Sequence, residues 1–221
     1  TCLTYGKALT LLAKNTQNTI VKKQLLESAN QIHLNGFIFS KSYKNLEYVV
    51  KNAIINNDLD TCLINGNAIF LEESDNFTIH HFNILYCLSL ANFKKKDIHE
   101  MKVLYLKAKN KYLNNQTKDT EIFEVFLNQA YDYFNLCIEE GFDLPTILIE
   151  LKWICNLPST AKVHKDIYGA LMYYKSLCEI KDSQIEKAKN TLSVAITNLK
   201  EEQDHEFCEL YVKAINTFNS L

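Results

Sequence analysis

Arginine is missing from this 221-residue chain; every one of its 24 basic residues is lysine. Only arginine offers the planar, bidentate guanidinium fork, so arginine fingers and Arg–carboxylate clamps are excluded. The abundance of Asn, Ile and Tyr alongside points to an AT-rich coding sequence rather than to selection at a site. Breakers are almost as scarce, with 5 Gly and 2 Pro. The glycines, Gly6, Gly36, Gly66, Gly141 and Gly169, stand far apart, which excludes a glycine-rich phosphate loop. No apolar run approaches the ~20 residues that span a bilayer. No secretory pattern of positive end, apolar core and small-residue cleavage site is visible. A net charge of −2 leaves no general nucleic-acid footprint. The 7 cysteines, at 2, 62, 87, 137, 155, 178 and 208, form no C-x-x-C pair and have no zinc spacing. Their odd number and wide spacing read as reduced, buried thiols, and hence as an intracellular protein, cytoplasmic or nuclear.

What is present is helical periodicity from end to end. It predicts helices at about 3–14, 17–38, 43–56, 59–71, 78–93, 97–113, 120–140, 145–156, 160–180, 183–200 and 203–219. Asp97-Ile98-His99-Glu100 and Ser183-Gln184-Ile185-Glu186 read as capping boxes. Gly141, after Glu139-Glu140, fits the residue just past a helix end. Pro145 and Pro158 stand at helix boundaries. The most polar connections, Glu72–Asn76 and Asn114–Asp119, are short, and no linker separates domains. Residues 1–221 are therefore expected to form one all-helical body, either a bundle or a solenoid.

Two stretches share a spacing of small and large residues. Leu85, Tyr86, Leu88, Ser89, Ala91 and Phe93 precede a polar turn and then Asp97, Ile98, Met101, Leu104, Tyr105 and Ala108. Tyr173, Ser176, Leu177 and Glu179 likewise precede Ser183, Ile185, Ala188, Leu192 and Ala195. A weaker copy runs from Leu25, Ala29, Ile32, Leu34 and Phe37 to Tyr43, Leu46, Val50 and Ala53. Antiparallel helices approach closely where small side chains meet large ones. The pattern resembles the tetratricopeptide (TPR) helical hairpin over about half the chain, without that family's Trp, turn Gly and closing Pro. The resemblance implies antiparallel helical hairpins stacked as a TPR-like solenoid. The segment Tyr5–Ala13 resembles the second helix of a hairpin whose first helix is missing. With a chain that opens at Thr1, this reads as a piece of a longer array.

Catalytic constellations are not visible. His80 and His81 are adjacent and point ~100° apart on a helix, so they cannot share a metal. Neither H-E-x-x-H nor G-x-S-x-G occurs, and Glu202-Gln203-Asp204-His205 is a single Glu-x-x-His. The expectation is a non-enzyme without cofactor or metal, bound to neither membrane nor nucleic acid, acting as a scaffold or adaptor or as a subunit of a larger complex. What the TPR resemblance implies for the site is a groove lined by the first helix of each hairpin. On 78–93 its facing residues are Asn83, Cys87 and Ala91; on 160–180 they are Tyr168, Met172 and Glu179. Asn, Tyr and Glu suit a peptide backbone and Met an apolar anchor. Lys94-Lys95-Lys96 reads as a solvated turn, with an acidic tail as the alternative. Two other readings remain open: a peptide-sensing TPR regulator of the bacterial type without its effector domain, and an all-α enzyme or small-ligand carrier.

Overall fold

A computed structural model describes residues 2–71, 77–115, 119–157, 159–160, 164–200 and 204–221. The protein is all-helical, with 86% helix, 11 helices and no strand among the described residues. In chain order these are α1 (Cys2–Lys14), α2 (Thr19–Ser40), α3 (Tyr43–Ile55), α4 (Leu59–Gly66), α5 (Ile79–Lys95), α6 (Ile98–Asn114), α7 (Thr120–Glu140), α8 (Leu144–Cys155), α9 (Lys165–Lys181), α10 (Ile185–Leu199) and α11 (His205–Ser220). The helix expected over 59–71 ends at Gly66 and continues as a tighter 3₁₀ turn, Asn67–Leu71. The expected helix starts at 160 and 203, and the connections at 72–76 and 116–118, fall on or beside residues outside the described ones.

The chain forms two compact units, 1–126 and 127–221. In the first, each helix packs on the next, and α3 also touches α5 across α4. In the second, α9 packs on α8 and α10, α10 packs on α11, and α9 reaches α11. The small residues picked out by spacing lie in the cores: Ala53, Ala108, Ala188 and Ala195 are all buried.

The turns repeat one geometry. After α3, α5, α7 and α9 a single residue, Asn57, Lys96, Gly141 or Ser183, takes a positive φ of 55–67°. The backbone N–H of the following residue then bonds back to the helix: Asp58 to Ala53 O at 2.9 Å, Asp97 to Asn92 O at 2.9 Å, Phe142 to Cys137 O at 2.8 Å, and Gln184 to Glu179 O at 2.8 Å. This is the double-bonded closure of a helix end, usually made by glycine. Only Gly141 is one.

The geometry corrects both capping boxes. Asp97 Oδ1 does accept from the Glu100 N–H at 3.1 Å, but the Asp97 N–H is held by Asn92 O and is closed to Glu100. Ser183 is consumed as the left-handed residue, so Gln184 becomes the N-cap of α10, without a side-chain cap bond. A reciprocal box forms elsewhere, at the start of α5. There His81 Nδ1 accepts from the Thr78 N–H at 3.0 Å, the part usually played by Glu or Gln.

Polar side chains fix the edge of the first unit. His33 is fully buried among α1, α2 and α3, and its Nδ1 lies 3.1 Å from Asn45 Oδ1. The ring stacks on Tyr48 with centroids 4.7 Å apart. A Cβ at Gly6 would stand 2.4 Å from His33 Nε2, so only glycine lets α1 come this close. Burial holds the imidazole below its ordinary pKa, partly offset by the bond with Asn45.

Candidate functional site

The expected partner-binding residues fall into two sets, one in each unit. Asn83 and Cys87 sit one turn apart on α5. Asn83 is half-buried, and its Nδ2 donates to Glu47 Oε1 on α3 at 3.1 Å. The same oxygen takes a bond from Lys51 Nζ at 2.5 Å, and Glu47 Oε2 lies 2.5 Å from His80 Nδ1. Glu47 itself is buried. A carboxylate held by three donors is no free base; its work is to fix the donors across the α3–α5 seam. His80 and Lys51 keep 30% and 43% of their side-chain surface open. The seam therefore offers an imidazole, an ammonium and an amide to solvent, all pre-positioned.

Cys87 lies beneath. Burial, and then the neighbouring Cys62, push its thiol up to about 12. The Cys62 thiol, also near 12 through burial, donates to the Cys87 carbonyl at 3.6 Å. Thiols this hard to ionise are packing groups, not nucleophiles.

The second set stands on α9. Tyr168 is half-buried, and burial raises its phenol, with Cys155 adding to the effect. Met172 is buried. Glu179 is 2% exposed, accepts from Thr191 Oγ1 of α10 at 2.7 Å and lies 3.8 Å from Lys175 Nζ. Of the five residues, Asn83 and Tyr168 keep accessible surface, while Cys87, Met172 and Glu179 are enclosed within their own units.

Other sequence features resolve locally. Lys94 donates to Asn57 Oδ1 at 3.1 Å and Lys95 to Asp60 at 2.7 Å, so the basic turn is tied to the start of α4. His81 packs against Tyr43 and Phe77 while His80 meets Glu47, in keeping with their divergent directions. The aromatic set is mostly packing: Tyr131 stacks on Tyr174 at 5.9 Å and bonds to Glu206, and the Tyr174 hydroxyl donates to Asn135 at 2.8 Å. Among the described residues no group of three or more His, Cys, Asp or Glu could hold a metal, and no helix is long and apolar enough to cross a membrane.

One concavity was not picked out by spacing. In the second unit a trough of roughly 450 Å³ opens between α8 and the end of α9, lined by Leu144, Pro145, Leu148, Ile149, Lys152, Cys178, Lys181 and Asp182. Its signal in the sequence was the excess of apolar residues on α8. Ile147, Leu148, Leu151 and Ile154 already fill an inner face, and Ile149 is left over, 66% exposed.

Comparison of the chain with family models, with curated proteins and with solved structures returned no match.

Proposed function

We propose that this chain is a non-catalytic interaction scaffold, a TPR-like stack of helical hairpins that holds a peptide or helix of a partner protein. The observation that carries the reading is the α3–α5 seam. Two helices that alternate along the chain lie side by side, and Glu47 fixes His80, Lys51 and Asn83 at their junction with part of each open to solvent. In a hairpin stack such alternate helices form one wall. Fixed side-chain donors on that wall suit the carbonyls of an extended or helical segment, because no conformational freedom is lost on binding. In the second unit Tyr168, on the helix touched by both α8 and α10, is the expected site residue that keeps accessible surface. The cysteines are all free, which fits a reducing intracellular compartment. The buried, hard-to-ionise thiols and the saturated Glu47 support a binding rather than a catalytic role.

The test is affinity capture from the native cell, identification of the partner, and titration with purified components. The double variant Asn83→Ala, Tyr168→Ala should keep its helical spectrum and lose about tenfold in affinity, as expected for truncating two polar contacts. Unchanged affinity in a folded variant would remove this wall as the binding surface.

A further inference from the structure

The trough beside α8 is independent of the α3–α5 seam and carries its own chemistry. Its floor and one bank are apolar: Leu144, Pro145, Leu148 and Ile149, with the buried Cys178 beneath. Leu148 and Lys152 continue Leu144 and Pro145 along one stripe of α8 at helical spacing. From Leu144 to Lys152 the stripe runs roughly 12 Å, two turns of a helix. A smaller hollow of roughly 210 Å³, lined by Ile138, Leu144, Leu177, Ile180 and Lys181, shares Leu144 and Lys181 with it and prolongs the apolar surface toward α7.

Charge decides the occupant. Lys152 stands on the α8 bank and Lys181 on the α9 bank, and neither has an ion-pair partner among the described residues. The one rim carboxylate, Asp182, takes a hydrogen bond from Gln184. The rim thus carries two cations to one carboxylate, an excess of positive charge, around an apolar floor. An isolated apolar molecule would leave both ammonium groups unanswered and Ile149 still facing water. A helix with apolar anchors at i, i+3/i+4 and i+7 covers a two-turn stripe, and acidic residues beside those anchors meet the lysines.

We infer that the α8–α9 trough is a docking site for an amphipathic, acidic helix of a partner protein, its apolar stripe on Leu148 and Ile149 and its carboxylates on Lys152 and Lys181. The inference does not depend on the α3–α5 wall. Neither Asn83 nor Tyr168 lines the trough, so either reading can fail alone.

The experiment uses the full chain and two synthetic helical peptides with Leu at i, i+3, i+4 and i+7, one flanked by Glu and the other by Lys. Binding is read from the fluorescence of Trp153, the single tryptophan, on α8. The Glu peptide should bind saturably and at least about tenfold more tightly than the Lys peptide, and should weaken with added salt. The double variant Lys152→Glu, Lys181→Glu should reverse the preference. Ile149→Asp, at an exposed position that leaves the fold intact, should lose at least about tenfold for the Glu peptide. The proposal is overturned by equal binding of the two peptides, by an Ile149→Asp variant of unchanged affinity, or by saturable binding of laurate with none of the Glu peptide. Concentration-dependent self-association that Ile149→Asp abolishes, without peptide binding, would overturn it too and make the occupant a second copy.

Discussion

The two units are tied together inside by different balances of the same means. In the first, neighbouring helices are joined by directional bonds between small polar groups: His33 with Asn45, Asn52 with Thr10, and Glu47 with His80 and Asn83. The second has such a bond as well, Thr191 with Glu179, and adds links through tyrosine: Tyr131 on Tyr174 and Phe207, and the tyrosine hydroxyls to Glu206 and Asn135. Ring packing itself is common to both units, as Tyr43 on His81 and Tyr112 on Phe126 show in the first. A short polar bond tolerates little shift in register and costs more when broken than it contributes when made. An aromatic contact buries more area and yields more readily to sliding. The first unit should therefore respond the more to changes of charge and proton, while both respond to changes of volume.

The largest effect expected is on volume. Ala195 in the second unit and Ala108 in the first are fully buried at helix crossings. Enlarging either to Leu should cost ~1–3 kcal/mol, read as a fall in melting temperature. If both variants melt like the wild type, close approach of these helices is not what the small residues provide.

Acid sharpens the contrast. His33 is buried with its pKa held below the ordinary 6.5, so the folded protein keeps it neutral while the unfolded chain takes up a proton. Stability from this source is complete above about pH 6.5 and is lost progressively as pH falls below it. Denaturant melts at descending pH should show the first unit weakening in that window. His33→Gln should flatten the slope there, whatever it does to stability at neutral pH. A slope that persists in His33→Gln places the proton uptake on another group.

The smallest effect is a gain. Ser183 holds a left-handed backbone, φ 58°, at an exposed turn. Ser183→Gly relieves that conformation and should add about 0.5–1 kcal/mol, offset in part by glycine's extra freedom in the unfolded chain. A loss instead would mean that the hydroxyl does more in this turn than its neighbours show.

The helices themselves were legible because so few residues oppose them. The way they end was not. Among the described residues five helices close with a left-handed residue, and four of those are Lys41, Asn57, Lys96 and Ser183 rather than glycine, so the usual mark is absent. Ser183 misled further: Ser-Gln-Ile-Glu is good capping chemistry, but a short turn has room for one role at that residue. The division at 126/127 falls within α7, where no change of composition marks it. Spacing placed Asn83 within a helix, as found, but gave no sign of its bond to Glu47, which lies 36 residues away on α3. Glu179 shows the same limit from the other side. Its carboxylate looks available in the sequence and is satisfied by Thr191 from the next helix. Pairings of that kind are set by tertiary packing and leave no local spacing to read.

The distribution of thiols has a use beyond packing. Cys62 and Cys87 are sealed in the first unit, and Cys137, Cys155 and Cys178 in the second, while Cys208 is exposed. A maleimide pulse marks the exposed site at once and the sealed ones only when their surroundings open. Peptide mapping after timed pulses would then give each unit its own clock for breathing in the native state, with no probe added to the chain.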